Sequence, residues 1–376
     1  MKQTARWIKW TCLVLALLLL LAACGNGNGG NGGGGTLPAP PEGDLAGISP
    51  DTVMIELDLR SVLWEEFYFD LHNVRTILES RGPIASWDAI LEGQTIYDSE
   101  VTYNEFVMLF VMDSALERRA IETLFTEELG EELEEGFYEE IRQMFFEHRG
   151  LDEEAFQAFL EENFLTENVF RYINEVVAMH ERVGMYLYGP SGEAVSDEAV
   201  EAVVEELGIL RAKHILISTQ DENQQDLPPD EMAAASALAM ELYEELASLS
   251  GEEQLARFQE MLDVYGEDPG MVMNDEGYTF LPVAMVPEFT AGTQALEIEE
   301  ISPPIRSNFG YHIILRLPVE RDAIAFGDPQ GLPVQFMAAQ WQLERTLDRV
   351  RAELVYTISP LVAQIVPSQI FDRSAD

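Results

Sequence analysis

Apolar and polar positions alternate in a few stretches of this chain and recur every three to four residues in most of the others. Thr52-Val-Met-Ile-Glu-Leu-Asp58 has the period of two expected of a strand with one covered face. After Ser61 the spacing lengthens, and Val62, Phe67, Phe69, Val74, Ile77 and Leu78 predict a helix. A similar unit runs from Gln94-Thr-Ile-Tyr97 into Val101, Tyr103, Phe106, Val107, Phe110 and Val111. Further helical patterns cover roughly 112–129, 131–149, 152–163 and 166–187, acidic on one side and rich in Phe, Leu and Met on the other. Such stripes are expected to face a core. A partly open apolar face would instead mark a binding surface. The acidic run Glu127 to Glu140 reads as a solvated helix face.

Gly189-Pro-Ser-Gly192 breaks the helical pattern, and Ser196, followed by Asp197 and Glu198, has the residue types of a helix start. An apolar run then carries one histidine, Arg211-Ala-Lys-His-Ile-Leu-Ile217. Beyond Pro228-Pro229, Leu238, Leu242, Leu246 and Leu249 mark one helix, and Leu255, Phe258 and Leu262 a second. Tyr265-Gly-Glu-Asp-Pro269 and a Gly/Asn-rich turn lead to Gly277-Tyr-Thr-Phe280. A short helix is expected over Glu288 to Leu296, a strand edge at Ile305-Arg306 and a last strand over Tyr311 to Leu317. The second histidine-bearing run is Asn308-Phe-Gly-Tyr-His-Ile-Ile-Leu315. Both runs are apolar on both faces, as central strands are. Val334 to Leu354 predicts an amphipathic helix before Pro360 and Pro367 interrupt.

Met1 to Ala23 has a basic start and an apolar core, Leu13 to Ala22, of the length of a signal-peptide h-region. Leu21-Ala-Ala-Cys24 resembles the bacterial lipobox, which implies cleavage before Cys24 and lipidation of that residue. Cys12 then leaves with the leader, so cysteine catalysis, cysteine metal sites and an intrachain disulfide are excluded. Gly25 to Gly43 reads as a flexible tether. With 22 Lys and Arg against 68 Asp and Glu, the net charge of −46 repels nucleic acid and anionic head groups alike. Membrane association therefore has to come from the anchor. His72, His148 and His180 have no histidine partner at helical spacing and read as surface or structural residues. No metal-binding or phosphate-binding motif is present, so neither a metal nor a cofactor is expected.

Two histidine-bearing strands about a hundred residues apart, Glu267-Asp-Pro269 between them, and Met285-Val-Pro-Glu-Phe289 ahead of Gly310-Tyr-His-Ile-Ile314 together resemble the parvulin family of peptidyl-prolyl isomerases. The resemblance implies an α+β fold, a small antiparallel sheet flanked by helices. It places His214 and His312 side by side with an orienting role. Asp268 matches a position near the carbonyl of the isomerising bond, where its charge would disfavour the planar, conjugated amide. Met285 and Phe289 match residues that line the proline pocket, with Phe309 beside it. The family's Gly-Gly-Asp-Leu-Gly-x-Phe stretch is Asn274-Asp-Glu-Gly-Tyr-Thr-Phe280 here, so Tyr278 or Phe280 is expected in place of the pocket leucine. The acidic Gln220 to Asp226 loop lacks the Arg and Lys that phosphoserine-proline specificity needs.

A strand and several helices ahead of such a domain, with Tyr103-Asn-Glu-Phe106, also resembles foldases of the PrsA and SurA type. That likeness implies a mostly helical chaperone-like domain built from N- and C-terminal segments. The expected order is a signal peptide (1–23), a tether (24–50), the helical domain (51–190) and a linker helix (191–208). The isomerase domain (209–319) and a returning C-terminal segment (320–376) follow. The implied function is cis-trans isomerisation of Xaa-Pro bonds in unfolded or partly folded exported polypeptides. The protein would be lipid-anchored to the cell membrane, or to the outer membrane in a two-membrane cell. The alternative is a non-enzymatic holdase with a degenerate isomerase domain. The absence of repeated βα units argues against a solute-binding lipoprotein. Oligomeric state is left open, a dimer included.

Overall fold

The computed structural model describes residues 46–96 and 99–373. The leader, Cys24, nearly all of the tether and Tyr97 lie outside the described residues. Nine strands are found among them: β1 (Val53–Leu57), β2 (Val62–Leu63), β3 (Ile90–Ile96), β4 (Ser99–Thr102), β5 (Leu210–Ser218), β6 (Tyr278–Phe280), β7 (Ile305–Arg306), β8 (Gly310–Leu317) and β9 (Tyr356–Ile358). The chain divides into two compact units, one within Met1–Val183 and Arg345–Asp376, the other Gly184–Glu344.

In the first unit, helices Trp64–Glu79 and Tyr103–Thr123 share a core of Trp64, Phe67, Leu71, Val107 and Val111, joined by Met54 and Ile55 of β1. Thr102 and Glu105 start the second of these helices with a reciprocal capping box. The C-terminal stretch adds β9, antiparallel to β1 with Ile55 opposite Ile358, and buries Ile370 and Phe371 in the same core. A second cluster forms where Phe156, Leu160, Val169 and Phe170 meet.

Between these helices runs a buried ion-pair network. Glu66 accepts from Arg118 (2.9 Å) and Arg119 (2.7 Å), Arg118 also reaches Asp70, and Arg119 reaches the Tyr172 hydroxyl. Burial pushes the Glu66 carboxyl up, but the two guanidinium groups outweigh it and hold Glu66 below the ordinary range.

The expected helix over 131–149 begins only at Phe137. One π-turn, Leu124–Glu128, ends the preceding helix, and Gly130 and Gly136 then adopt positive φ. Glu131 and Glu135 would repel each other one helical turn apart, so the acidic run is exposed mainly as a connection rather than a helix face.

The second unit is built on an antiparallel sheet in the order β6-β5-β8-β7. The long β5–β8 pairing runs from Arg211 opposite Leu317 to Ser218 opposite Gly310. Alternation sorts the side chains to two faces. Ile215, Ile217, Ile313 and Leu315 pack against helices Pro229–Ala247 and Gly251–Tyr265, through Leu242, Leu246, Phe258 and Met261. Leu210, Ala212 and Ile314 face the other way, toward Phe280, Leu296 and Phe289 of helix Pro287–Gln294. His214 and His312 share the parity of this second face. Together the two units make an α+β protein, as the sequence predicts.

Candidate active site

β5 and β8 lie at the centre of the sheet, and the register sets His214 opposite Ile314 and His312 opposite Leu216. The two histidines are therefore diagonal neighbours, both buried, with Nδ1 atoms 3.0 Å apart. β8 can start this close to β5 because residue 310 is glycine. Its φ is +155°, and a Cβ there would come within 2.2 Å of the Ile217 carbonyl oxygen.

Asp268 reaches the pair from the loop after helix Gly251–Tyr265. The Glu267 amide donates to the Leu216 carbonyl (3.0 Å) and its side chain accepts from the Ser218 amide, pinning that loop to β5. Asp268 then caps the short helix Pro269–Met273, its Oδ1 accepting from the Gly270 amide at 2.9 Å. Its Oδ2 lies 2.8 Å from His214 Nε2 and accepts from the Tyr278 hydroxyl at 2.9 Å. At the other end, Ser307 Oγ lies 2.6 Å from His312 Nε2 and accepts from the Phe309 amide at 3.1 Å.

These partners fix one proton of the run. A carboxylate only accepts, so His214 Nε2 carries a proton. The two Nδ1 atoms share one hydrogen bond, and His312 Nε2 bonds to the Ser307 hydroxyl. Ser307, His312, His214 and Asp268 thus form one hydrogen-bonded run. Burial pushes the His312 imidazole down to about 3, with His214 and Arg306 acting in the same direction against Asp268, which keeps the ring neutral. Burial of the Asp268 carboxyl pushes it up, but His214, the Gly270 amide and the Tyr278 hydroxyl outweigh burial and bring it to about 2. The run thus ends in a half-buried negative charge, with the neutral His312 ring one hydrogen-bonded residue away.

Phe289 closes the apolar side. Its ring is 5.0 Å from that of His214 and 5.5 Å from that of His312, both edge-on, and 5.6 Å from Phe280. Phe280 is completely buried, Phe289 is 3% exposed, Met285 is half-buried against the same cluster, and Phe309 is 45% exposed. The structure thus gathers His214, Asp268, His312, Phe289 and Phe280, with Met285 packed against their cluster. Phe309 is tied in through its backbone, while Cys24 is outside the described residues. Sequence reasoning did not single out Ser307 or Gly270. Ser307 carried a weak signal, five residues before His312 at the start of the tight turn into β8. Among the described residues no group of His, Cys, Asp and Glu is arranged to hold a metal ion.

Residues 214–317 match the Rotamase family model, described as the PPIC-type PPIASE domain. This part of the chain is a parvulin-type rotamase domain. The chain is 38% identical over 120 residues to the Chaperone SurA of Chromohalobacter salexigens, a stretch covering 30% of this chain and 24% of that protein. It is 36% identical over 105 residues to the Foldase protein PrsA 2 of Bacillus anthracis, covering 28% and 30%. The matched part thus spans about a quarter of the length of the SurA proteins it resembles. Among solved structures, Bacillus cereus peptidylprolyl isomerase (PrsA) aligns over 76% of this chain and 92% of its own, at 17% identity and a TM-score of 0.27.

Proposed function

We propose that the protein catalyses cis-trans isomerisation of Xaa-Pro bonds in unfolded exported polypeptides, held at a membrane by a lipid on Cys24. The observation that carries the catalytic reading is the hydrogen-bonded run from Ser307 to Asp268 beside Phe289, inside the rotamase domain. Rotation about the prolyl bond needs no nucleophile and no metal. Amide resonance sets a barrier of about 18–20 kcal/mol, and a site lowers it by binding the twisted amide better than the planar one. Met285, Phe289 and Phe309 give the pyrrolidine ring apolar contact, with Phe280 buried behind them. The Asp268 carboxylate repels negative charge on the substrate carbonyl oxygen, and so disfavours the conjugated planar form. His214 and His312 hold Asp268 in place.

The helical first unit is the proposed client-holding part. Its support is the exposed apolar edge of β9, where Tyr356 is 41% and Ile358 45% exposed, and the names borne by the relatives. Slow prolyl isomerisation takes tens of seconds or longer uncatalysed, which gives such a protein a physical task. The test is refolding of a client whose slow phase is prolyl isomerisation. The parent accelerates that phase, and folded Met285→Ala does so at least fivefold less. The altered Asn274 to Phe280 stretch favours a second reading, a holdase without turnover. In that case aggregation is suppressed but the slow phase keeps its uncatalysed rate.

A further inference from the structure

We infer that Tyr278 is a positioning residue of the isomerase site. Its phenol and the bare backbone of Gly270 form a clamp that fixes the plane of the Asp268 carboxylate. The inference rests on the isomerase reading for its catalytic consequence, but not for the clamp itself.

Two observations on different elements carry it. Tyr278 opens β6, at one edge of the sheet, and its hydroxyl donates to Asp268 Oδ2, the same oxygen that faces His214 Nε2. Gly270 stands in the helix that Asp268 caps, and its amide donates to Oδ1. A Cβ on Gly270 would lie 1.8 Å from the Tyr278 hydroxyl oxygen. The phenol therefore occupies the space that any side chain at 270 would need. Three donors from three elements meet the one carboxylate: a β5 imidazole, a backbone amide and a β6 phenol. One donor leaves a carboxylate free to swivel, whereas three non-collinear donors set its plane and its distance from whatever lies above it.

Tyr278 also bears on the departure at 274–280. Its ring is partly buried against the cluster that includes Phe280 and Phe289, 6.1 Å from the His214 ring. Its hydroxyl points at the acid, so the residue is tied to the charge of the site and not only to its apolar wall. Gly277, at φ +102°, makes the turn that brings it there. The charged and titratable groups facing Asp268 are His214 and Tyr278, with His312 and Arg306 behind. Removing one donor from this set weakens the hold on the ionised form.

The experiment uses the soluble chain starting after the tether, as the parent and as the variants Tyr278→Phe, Gly270→Ala and both together. Each is checked for the parent's amide NMR pattern. The 13C carboxyl shift of Asp268 is followed against pH, and peptide exchange is measured beside it. Tyr278→Phe should move the Asp268 midpoint up by about one pH unit, the size of one lost hydrogen bond to a charged group. Exchange at saturating peptide should fall about three- to tenfold, with the peptide concentration for half-saturation little changed. Gly270→Ala, which displaces the phenol, should give the same two shifts, and the double variant should add nothing to either single one. An unmoved midpoint in folded Tyr278→Phe, or additive effects in the double variant, overturns the clamp. A parent that does not accelerate exchange overturns the isomerase reading instead, and the carboxyl titration still decides whether the clamp exists.

Discussion

Asp268 keeps its charge down to about pH 2 because three donors outweigh its burial. Its folded value lies below the ordinary 3.8, so the stability it contributes is complete above about pH 4 and is lost as pH falls toward 2. The full shift would correspond to about 2 kcal/mol, and partial exposure to water screens this to about 1 kcal/mol. Urea unfolding of the parent at pH 6 and pH 3 should show about half of this loss, because pH 3 lies midway between the folded and unfolded values. Asp268→Asn should be less stable than the parent at pH 6 and should lose less on acidification. An unchanged difference between the two pH values in the folded variant would mean that the donors do not act on Asp268 as described. His312 complements the acid, since a neutral ring on the next strand passes a hydrogen bond along without adding a positive charge that would cancel Asp268.

At the scale of elements, the parts with a clean period were legible from the chain. β5 and β8 are apolar on both faces because helices cover both, and the 3.6-residue rhythm marked the helices at 229–247 and 251–265. The Tyr278–Asp268 and Ser307–His312 bonds were not legible, because nothing local in Tyr278 or Ser307 states which residue will lie opposite its hydroxyl. The late start of the helix at Phe137 came from charge repulsion and glycine, which an apolar stripe does not report.

His72 shows the same limit. Its place on a helix was evident, but not that it would be 1% exposed with neither ring nitrogen hydrogen-bonded. It stacks on Phe164 with centroids 3.7 Å apart and meets Tyr68 and Phe371 edge-on. Burial, aided by Arg75, pushes its imidazole down from 6.5 to about 3. Stability is then complete above about pH 6.5 and lost as pH falls toward 3, by about 2 kcal/mol at pH 5 from this group alone. His72→Phe keeps an aromatic ring and removes the unbonded nitrogens. It should narrow the stability difference between pH 7 and pH 5 by about that amount in chemical denaturation. An unchanged difference would contradict the buried neutral histidine.

For the whole molecule, the two units have separate cores and different kinds of glue. The second is held by a four-stranded sheet with apolar layers on both faces, and the first also depends on the buried Glu66–Arg118–Arg119–Asp70 network. Breaking a buried ion pair on one side costs about 3–5 kcal/mol, because the partner charge is left without compensation. Glu66→Gln keeps the shape, so a loss of about 3 kcal/mol is expected in the unfolding of the first unit. Peptide exchange by the second unit should be unaffected while both remain folded. A fall in exchange without unfolding would show that the network serves the site as well as the core.

We propose that the rotamase domain turns over prolyl bonds with Asp268 as the charge that favours the twisted amide. NMR exchange on an Ala-Pro or Glu-Pro peptide, with the soluble chain starting after the tether, tests it most directly. Fast exchange is expected with the parent, and at least a tenfold loss with folded Asp268→Asn at equal peptide occupancy. No acceleration by the folded parent across several residues before proline would contradict it, as would an undiminished rate in Asp268→Asn.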